Sequence, residues 1–467
     1  MGAWERFCAG LTESRLSILE RFGYLVEGNE LKVACVNQPE QVFAPPSTLI
    51  HFLGSLRVQM LLCVLFGVLL PVFVYIRGDF SFVGSNPAAI NSSIAAVVCT
   101  AAAVMAVRKF GEFPGTIGAS YILPALAVSY SVAVAAIMLM RAPYSGALLT
   151  LTFVTSLIVR FAIGALERRR LSTLYYLVPG GNIDRIRGDL GIASVKFDVP
   201  ALPGEANAVI VADLHHDHPP EWVRLFAIAA LHGIGVYHYK QVLEAATGKV
   251  RIEHLSENSL GSLLPSNSYS KAKRFIDILL SIAALPVLIP LLLAAALVIR
   301  MDSSGPIFFR QERIGYRARP FQVLKFRTMR PPNGAEGGVD AINDAITKDD
   351  DVRITKVGRF LRKTRIDELP QVYNILCGDM SWIGPRPEAR PLSEWYEKEI
   401  PFYSYRHIVR PGITGWAQVN QGHVASISEV HDKLRYDFYY VKNFSMWLDL
   451  VILFKTVLVV VRGTGAK

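Results

Sequence analysis

Four long stretches without Asp, Glu, Lys or Arg crowd the first third of the chain: Val58 to Ile76, Phe80 to Val107, Pro114 to Met140 and Ala142 to Val159. Each is long enough to cross about 30 Å of hydrocarbon at roughly 1.5 Å per residue. The pattern predicts four transmembrane helices. Arg108 and Lys109 follow the second run, a lone Arg141 follows the third, and Glu167-Arg168-Arg169-Arg170 follows the fourth. With alternating sides the basic clusters fall together, which predicts both ends of the block in the cytoplasm.

A fifth apolar run, Ile278 to Ile299, carries no charge for 22 residues. Pro286 and Pro290 lie in its middle, one turn apart; each removes a donor and crowds the preceding turn, so a break is expected there. Lys271, Lys273 and Arg274 precede the run and Arg300 follows it, so the positive-inside rule wants both flanks on the cytoplasmic side. A re-entrant hairpin over 271–300 satisfies this, with two arms of about 11 residues reaching roughly 17 Å each. The run alone equally admits a kinked helix that crosses.

Between 171 and 268 the pattern shortens to strand-like pieces, LYYLV, VKF, AVIVADL and GVYHY, with one helical stretch, EWVRLFAIAAL. This reads as a small Rossmann-like α/β domain. Its first strand runs into Pro179-Gly180-Gly181-Asn182, which lacks the spaced glycines of a dinucleotide fingerprint and reads as a turn. The run His215-His216-Asp217-His218 has metal-ligand residue types, but four consecutive residues seldom surround one ion, so a solvated loop is the expectation. SLLPSNSYS then reads as a linker.

Composition sharpens this. The 467 residues are 51% hydrophobic and 19% charged, with mean hydropathy +0.32, too apolar for an ordinary soluble enzyme. Yet 49 Lys and Arg oppose 39 Asp and Glu, a net charge of +10. Anionic partners are implied, phosphates or an acidic membrane face rather than nucleic acid. Five widely spaced cysteines support neither a disulfide framework nor a thiolate metal site, and the N-terminus lacks a signal-peptide pattern. The expected organisation is a cytoplasmic segment 1–50, a four-helix membrane domain 51–170, the small domain 171–268 and a C-terminal domain 269–467.

Positive charge concentrates beyond the fifth run: eight Lys and Arg against Asp302 and Glu312 between Arg300 and Arg330. A snorkelling basic belt would account for part of it. Alternation in FQVLKFRTM, however, puts Lys325 and Arg327 on one face of a predicted strand, a pairing suited to phosphate. Further on, Arg359, Arg362, Lys363 and Arg365 crowd Asp367-Glu368. Pro370 fits a helix only in its first turn, so the two carboxylates sit at or beside an N-terminus. There one carboxylate can attack a phosphorus and its neighbour can hold a hard cation such as Mg²⁺. The plain alternative is that Asp367 only caps the helix.

These residues resemble the bacterial sugar transferases, the monotopic phosphoglycosyl transferases. The matching strings are KRFIDILLSIAALPVLIPLL, GPIFFRQERIG, FQVLKFRTM, LRKTRIDELPQVYNILCGDMSWIGPRPE, VRPGITGWAQVN and YDFYYVKNFSMWLDLVILFKTVLVVVRGTGA, in family order over Lys271 to Lys467. The four spans and small domain ahead of them resemble the large form of the family. The resemblance implies a membrane protein of mixed α and α/β class in the bacterial inner membrane, with its α/β catalytic domain on the cytoplasmic face, anchored by a re-entrant helix. It implies transfer of a hexose-1-phosphate from a UDP-sugar to undecaprenyl phosphate, the first membrane step of exopolysaccharide, capsule or O-antigen (lipopolysaccharide) synthesis. Asp367 would carry the phospho-sugar and Glu368 would ligate Mg²⁺. Arg362 and Pro385-Arg386-Pro387 would bind phosphate or nucleotide, with Lys325, Arg327, Arg410 and Gln418 as further candidates. The family's Ser-Pro helix break falls on Ile289-Pro290, so the serine is missing and Pro286 is additional. A homodimer is expected at family level only.

EWYEKEIPFYSYRH and LVILFKTVLVVVR are amphipathic enough to lie in the headgroup plane, with core helices as the alternative. Two other function classes fit the composition. A membrane scaffold is opposed by the intact Asp-Glu pair and its arginines, and a transporter by spans nearly devoid of ionisable groups.

Overall fold

The computed structural model describes residues 24–27, 30–33, 55–78, 86–111, 121–170, 174–183, 194–204, 208–250, 265–330, 353–421 and 427–462. Most of the segment 1–50 and part of the 262–270 linker therefore lie outside the described residues. A short antiparallel hairpin, β1 (Tyr24–Glu27) with β2 (Glu30–Val33), comes first.

Four helices follow that are long and apolar enough to cross a membrane: α1 (Leu56–Tyr75), α2 (Pro87–Gly111), α3 (Ile122–Leu139) and α4 (Gly146–Arg170). Helix α2 starts seven residues into its apolar run because Pro87 suits the first helical position and Asn86 Oδ1 accepts from Ala88 N and Ala89 N at 3.1 and 3.3 Å. The bundle closes through small and hydroxyl residues, which let backbones approach where apolar side chains have no reason to leave lipid. Gly67, in a π-helical turn of α1 (Leu65–Leu69), lies against Ser156 of α4, and Thr155 Oγ1 donates to Gly67 O at 2.6 Å. Thr100 Oγ1 is 3.0 Å from Ser156 Oγ and 3.2 Å from the Tyr130 hydroxyl, joining α2, α3 and α4.

The middle of the chain forms an all-parallel sheet in the order β4-β3-β5-β6, from β3 (Leu174–Leu177), β4 (Ser194–Lys196), β5 (Ala208–Ala212) and β6 (Gly235–His238). Alternation along β5 feeds both faces. Ile210 and Ala212 pack under Trp222, Leu225 and Ala229 of α5 (Pro220–Leu231), while Val211 packs under Tyr239 and Val242 of α6 (Tyr239–Thr247). The His215-His218 loop is a turn whose His215, His216 and Asp217 are exposed, as expected. Its rings pack back onto the sheet edge, with His215 Nδ1 2.8 Å from His238 Nε2 and His218 Nε2 2.9 Å from Asp213 O.

Helix α6 ends at Gly248, whose φ of 68° is readily adopted only without a Cβ. The next residues dock on the C-terminal domain: Trp416 Nε1 donates to Gly248 O at 3.0 Å, Lys249 pairs with Asp432 at 2.9 Å, and Val250 N donates to Arg435 O at 3.0 Å.

Helix α7 (Asn267–Asp302) is one element with Pro286 and Pro290 inside it, not two arms meeting at a break. Being one turn apart, the prolines leave their missing hydrogen bonds on one side, which lowers the cost of bending there without ending the helix. The exposed apolar residues Ile282, Val287, Ile289 and Leu293 occupy its middle. Both flanks are held by the C-terminal domain. On the first, Lys273 pairs with Asp449 at 2.5 Å, Arg274 donates to Leu376 O at 2.9 Å, and Ser281 accepts from Trp382 Nε1 at 3.1 Å. On the second, Ala295 and Ile299 pack on Phe326 and Leu361, and Arg327 donates to Ser303 O and Ser304 O.

The rest of the C-terminal domain is mostly helical, with two small two-stranded sheets: antiparallel β7 (Phe308–Ile314) with β8 (Pro320–Phe326), and parallel β9 (Ser381–Ile383) with β10 (Gly412–Thr414). Helices α8 (Lys356–Thr364), α9 (Val372–Cys377), α10 (Arg390–Glu399), α11 (Trp416–Asn420), α12 (Ile427–Lys442) and α13 (Met446–Arg462) surround them. Of the two predicted amphipathic segments, the first is α10 followed by a 3₁₀ turn whose Tyr403, Arg406 and His407 are buried. The second is α13, a core helix in its first half, where Leu448, Val451 and Ile452 are fully buried, and apolar-exposed in its second, at Val457 and Val460. Its Trp447 and Phe454 meet Phe110 of α2 at 5.9 and 5.7 Å between ring centroids. Lys455 turns inward to Asn420 Oδ1 at 2.8 Å, over the Trp416 ring.

Candidate active site

Three segments converge on Asp367 and Glu368. The first is α8, capped by Thr355, whose hydroxyl accepts from Gly358 N at 2.9 Å. Gly358 lies on the backbone of Thr328, where any Cβ would collide with Thr328 O. That close approach brings Arg362 Nε to 2.9 Å from Thr328 Oγ1. Arg365 then turns the chain in the left-handed region, at φ 59°, into the 3₁₀ turn Ile366–Gln371, which carries the carboxylates and runs into α9. Pro370 is therefore accommodated in a 3₁₀ turn ahead of the helix. Asp367 is not its N-cap, because no side-chain capping bond is made there.

The second segment is β8. Val323 points under α9 with Ile375 and Met380, and two residues on Lys325 reaches Glu368 Oε1 at 3.2 Å. The third is the turn after β9. Gly384 is wedged against the backbone of Arg410 and Gly412, and the following Pro385-Arg386-Pro387 delivers Arg386 Nη2 to Glu368 Oε1 at 2.6 Å. Arg365 Nη1 adds a more distant partner at 3.8 Å. Arg386 itself is braced from behind: Arg406 Nη2 donates to its carbonyl at 2.8 Å, and Arg313 donates to the carbonyl of Pro387.

The two neighbouring carboxylates thus have opposite environments. Burial alone would raise the Glu368 carboxyl, but Arg386 and Lys325 outweigh it and hold it far below the usual range. Asp367 is equally buried, yet its Oδ1 accepts no hydrogen bond among the described residues. Burial and then the Glu368 charge push its carboxyl up, with Lys325, Arg386 and Arg362 opposing. Burial brings the Lys325 ammonium down to about 8 despite Glu368. Glu368 is ion-paired; Asp367 has a buried oxygen, Oδ1, without a hydrogen bond among the described residues.

Of the residues singled out from sequence, Lys325, Arg362 and Arg386 join this cluster. Arg327 does not: it closes the C-terminal end of α7 through Ser303 and Ser304. Arg410 stacks on Tyr316 at 4.9 Å and donates to Gly378 O at 3.0 Å, in a crevice with Lys273, Arg274 and Asp277. Gln418 donates to Ile413 O at 3.1 Å beside β10. Arg313, Glu388 and Arg406, the support of Arg386, were missed by sequence reading. In sequence Arg313 is one of several residues in a basic run, and the pairing of Glu388 with Arg406 and Lys433 spans up to 45 residues.

For an oxygen-seeking dication the donor chemistry is suitable. Glu368 Oε1 is committed to Arg386 and Lys325, but Oε2 has only the weaker contact to Arg386 at 3.5 Å among the described residues.

A family model described as bacterial sugar transferase matches residues 268–463. The chain is 43% identical over 360 residues to the UDP-N-acetylgalactosamine-undecaprenyl-phosphate N-acetylgalactosaminephosphotransferase of Aeromonas hydrophila, covering 77% of this chain and 84% of that relative. It is 44% identical over 209 residues to the UDP-glucose:undecaprenyl-phosphate glucose-1-phosphate transferase of Xanthomonas campestris pv. campestris, a match covering 44% of this chain and 42% of the relative. To the exopolysaccharide production protein PSS of Rhizobium leguminosarum bv. phaseoli it is 43% identical over 199 residues, 41% of this chain and 97% of that protein.

Proposed function

The chain belongs to the bacterial sugar transferase family, and we propose that it transfers a sugar-1-phosphate from a UDP-sugar to undecaprenyl phosphate at the inner membrane, through a phospho-sugar held covalently on Asp367. The observation that carries this reading is the bare, buried Asp367 carboxylate beside a Glu368 already neutralised by Arg386 and Lys325. A scaffold gains nothing from an unpartnered buried carboxylate, which costs stability; a nucleophile does.

In the first half-reaction an Asp367 oxygen attacks the β-phosphorus of the nucleotide sugar. The bond from that phosphorus to the bridging oxygen breaks, and UMP leaves with the electron pair. In the second, a phosphate oxygen of the polyprenyl phosphate attacks the same phosphorus and Asp367 leaves as carboxylate. Arg386, Lys325 and Arg362 lie where the diphosphate charge must be balanced. Glu368 would hold a Mg²⁺, which would supply further charge neutralisation on the diphosphate. Lys325 also screens the two carboxylates from one another.

The reading includes a re-entrant α7, with the catalytic domain on the cytoplasmic face. It is supported by the attachment of both flanks of α7 to one domain and by the exposed apolar middle between them. The relatives named above differ in sugar, N-acetylgalactosamine or glucose, so a UDP-sugar panel must include both. The test is to incubate purified protein with each UDP-sugar and no lipid, following UMP release and intact mass. One sugar should yield a stoichiometric burst of UMP and a sugar-phosphate adduct that undecaprenyl phosphate discharges. An unmodified D367N protein is expected; turnover by D367N would remove Asp367 from the role.

A further inference from the structure

The C-terminal edge of the parallel sheet in the middle domain carries a second cluster of chemistry. Asp213 directly follows β5, and His238 ends β6 in register with Ala212. His215 stands two residues beyond Asp213. One ligand atom from each of the three lies within 4.8 Å of the others: His215 Nδ1 to His238 Nε2 is 2.8 Å, and His238 Nε2 to Asp213 Oδ1 is 3.4 Å. Asp213 and His238 are buried and His215 is exposed.

The topological switch of the sheet, between β3 and β5, where open α/β sheets bind ligands, lies on the other side of Asp213. A nucleotide phosphate has no room there. A Cβ on Gly181 would meet the Asp213 carboxylate, and one on Gly180 would meet the His216 ring at 2.7 Å, so the turn after β3 is already filled by side chains of the turn after β5. Asp213 occupies the anion's place, accepting from Asn182 N at 3.0 Å and His215 N at 3.3 Å. Those two bonds fix its carboxylate toward the imidazoles.

We propose that Asp213, His215 and His238 bind one transition-metal dication of the zinc class at this sheet edge. Two imidazole nitrogens and one carboxylate oxygen suit Zn²⁺, Co²⁺ or Ni²⁺ and are a poor set for Mg²⁺. Two of the ligands sit at the ends of paired strands, which sets their separation before any ion arrives. The third is on the solvent side, leaving a fourth position for water, the arrangement of an open three-ligand site rather than a closed structural one.

Lys240 N donates to His238 Nδ1 at 3.1 Å, so a neutral ring carries its proton on Nε2, which faces His215 Nδ1 at 2.8 Å and Asp213 Oδ1 at 3.4 Å. A metal on Nε2 requires that proton to move, through solvent, to Nδ1. No net proton is lost from the ring, but the Lys240 N–H bond that caps α6 is given up. Binding is therefore weaker than at a site whose histidines are oriented by acceptors.

The test uses full-length protein in detergent without an oligohistidine tag, stripped with a chelator and then titrated with Zn²⁺ against a chromophoric competitor. One equivalent is expected to bind in the presence of millimolar Mg²⁺. H215Q, an exposed substitution that leaves the sheet intact, and D213N should each weaken binding by at least about tenfold, whereas H431Q, elsewhere on the surface, should not. Co²⁺ in place of Zn²⁺ should give visible ligand-field bands that H215Q removes. Failure of the wild type to retain an equivalent, or retention undiminished in H215Q and D213N, overturns the site. The readout is metal content, so it stands or falls independently of sugar-phosphate transfer.

Discussion

Arg386 Nη2 lies 2.6 Å from Glu368 Oε1, tying the turn after β9 to the 3₁₀ turn ahead of α9 across 18 residues. The pairing balances the charge of Glu368, while Oδ1 of its neighbour Asp367 has no hydrogen bond among the described residues. A buried pair of this kind does little for net stability, since desolvation offsets most of the attraction. In the proposed reaction its effect is to set which of two adjacent carboxylates is free to react.

D367N should therefore separate function from stability. Removing a buried, unpartnered carboxylate is expected to leave thermal stability unchanged or raise it by about 1 kcal/mol. UMP release should fall by at least about 10³-fold. Melting curves and lipid-free UMP release on the same preparation check both halves. A strongly destabilised D367N would mean that Asp367 holds the fold together.

R386M should behave in the opposite sense, costing both properties. Glu368 would keep Lys325 at 3.2 Å but lose its closest cation, at a cost of about 2–3 kcal/mol. The double variant R386M/E368Q should recover most of that stability and none of the activity. A double-mutant cycle on melting temperature measures the coupling, and additive losses would show that the two residues act separately.

The long-range partners of this cluster explain what the sequence could and could not reveal. Charge-free runs announced the four long apolar helices, period-two alternation found β8, and short apolar pieces between turns found the sheet of the middle domain, because burial writes those patterns directly into the residues. Asp367, Glu368, Lys325, Arg362 and Arg386 were legible as neighbours of short motifs. The role of Arg327 was not, since strand alternation assigned it the face of Lys325 while the strand ends at Phe326 and its guanidinium turns to α7. Nor was the meeting of His215 with His238, 23 residues apart, which depends on β5 and β6 being adjacent and parallel. Pro286 and Pro290 signalled a break that hydrogen bonding in α7 does not make: proline chemistry states where bending is cheap, and the surroundings decide whether the helix ends.

Acid sensitivity should trace to His407, just behind the Arg406 brace. Burial, then the charge of Arg406, brings its imidazole down to about 3 from 6.5, and its Nε2 is buried without a hydrogen-bond partner among the described residues. Below pH 6.5 the unfolded chain takes a proton that the folded chain refuses, so stability is full above that pH and falls as pH drops toward 3. The loss between pH 6.5 and 5 is about 2 kcal/mol. Glu388 adds a further loss only below 4.5, where burial is outweighed by Lys433 and Arg406 and its carboxyl is held at about 2. Melting temperature followed from pH 7 to 5 should decline in the wild type and stay nearly flat in H407Q. An equal decline in both would place the sensitivity elsewhere.

The flanks of α7 should be labelled from the same side of the membrane. A straight helix of 36 residues is roughly 54 Å long, far more than the hydrocarbon core, and a crossing would put its two ends in different compartments. Yet Lys273 and Ser281 on one flank bind Asp449 and Trp382, and Ile299 on the other packs on Leu361. All three partners belong to one C-terminal domain, which cannot sit on both faces at once. Single cysteines replacing Lys271 and Arg300, in a background where all five native cysteines are serine, should react with a membrane-impermeant maleimide together, in inverted vesicles and not in intact cells. The prolines set a second expectation: P286A/P290A restores two backbone donors and stiffens the middle of α7, so it should shift one flank's labelling or lower UMP release. Labelling of the two flanks from opposite faces in the wild type would make α7 a crossing helix and separate its domain contacts from the native topology.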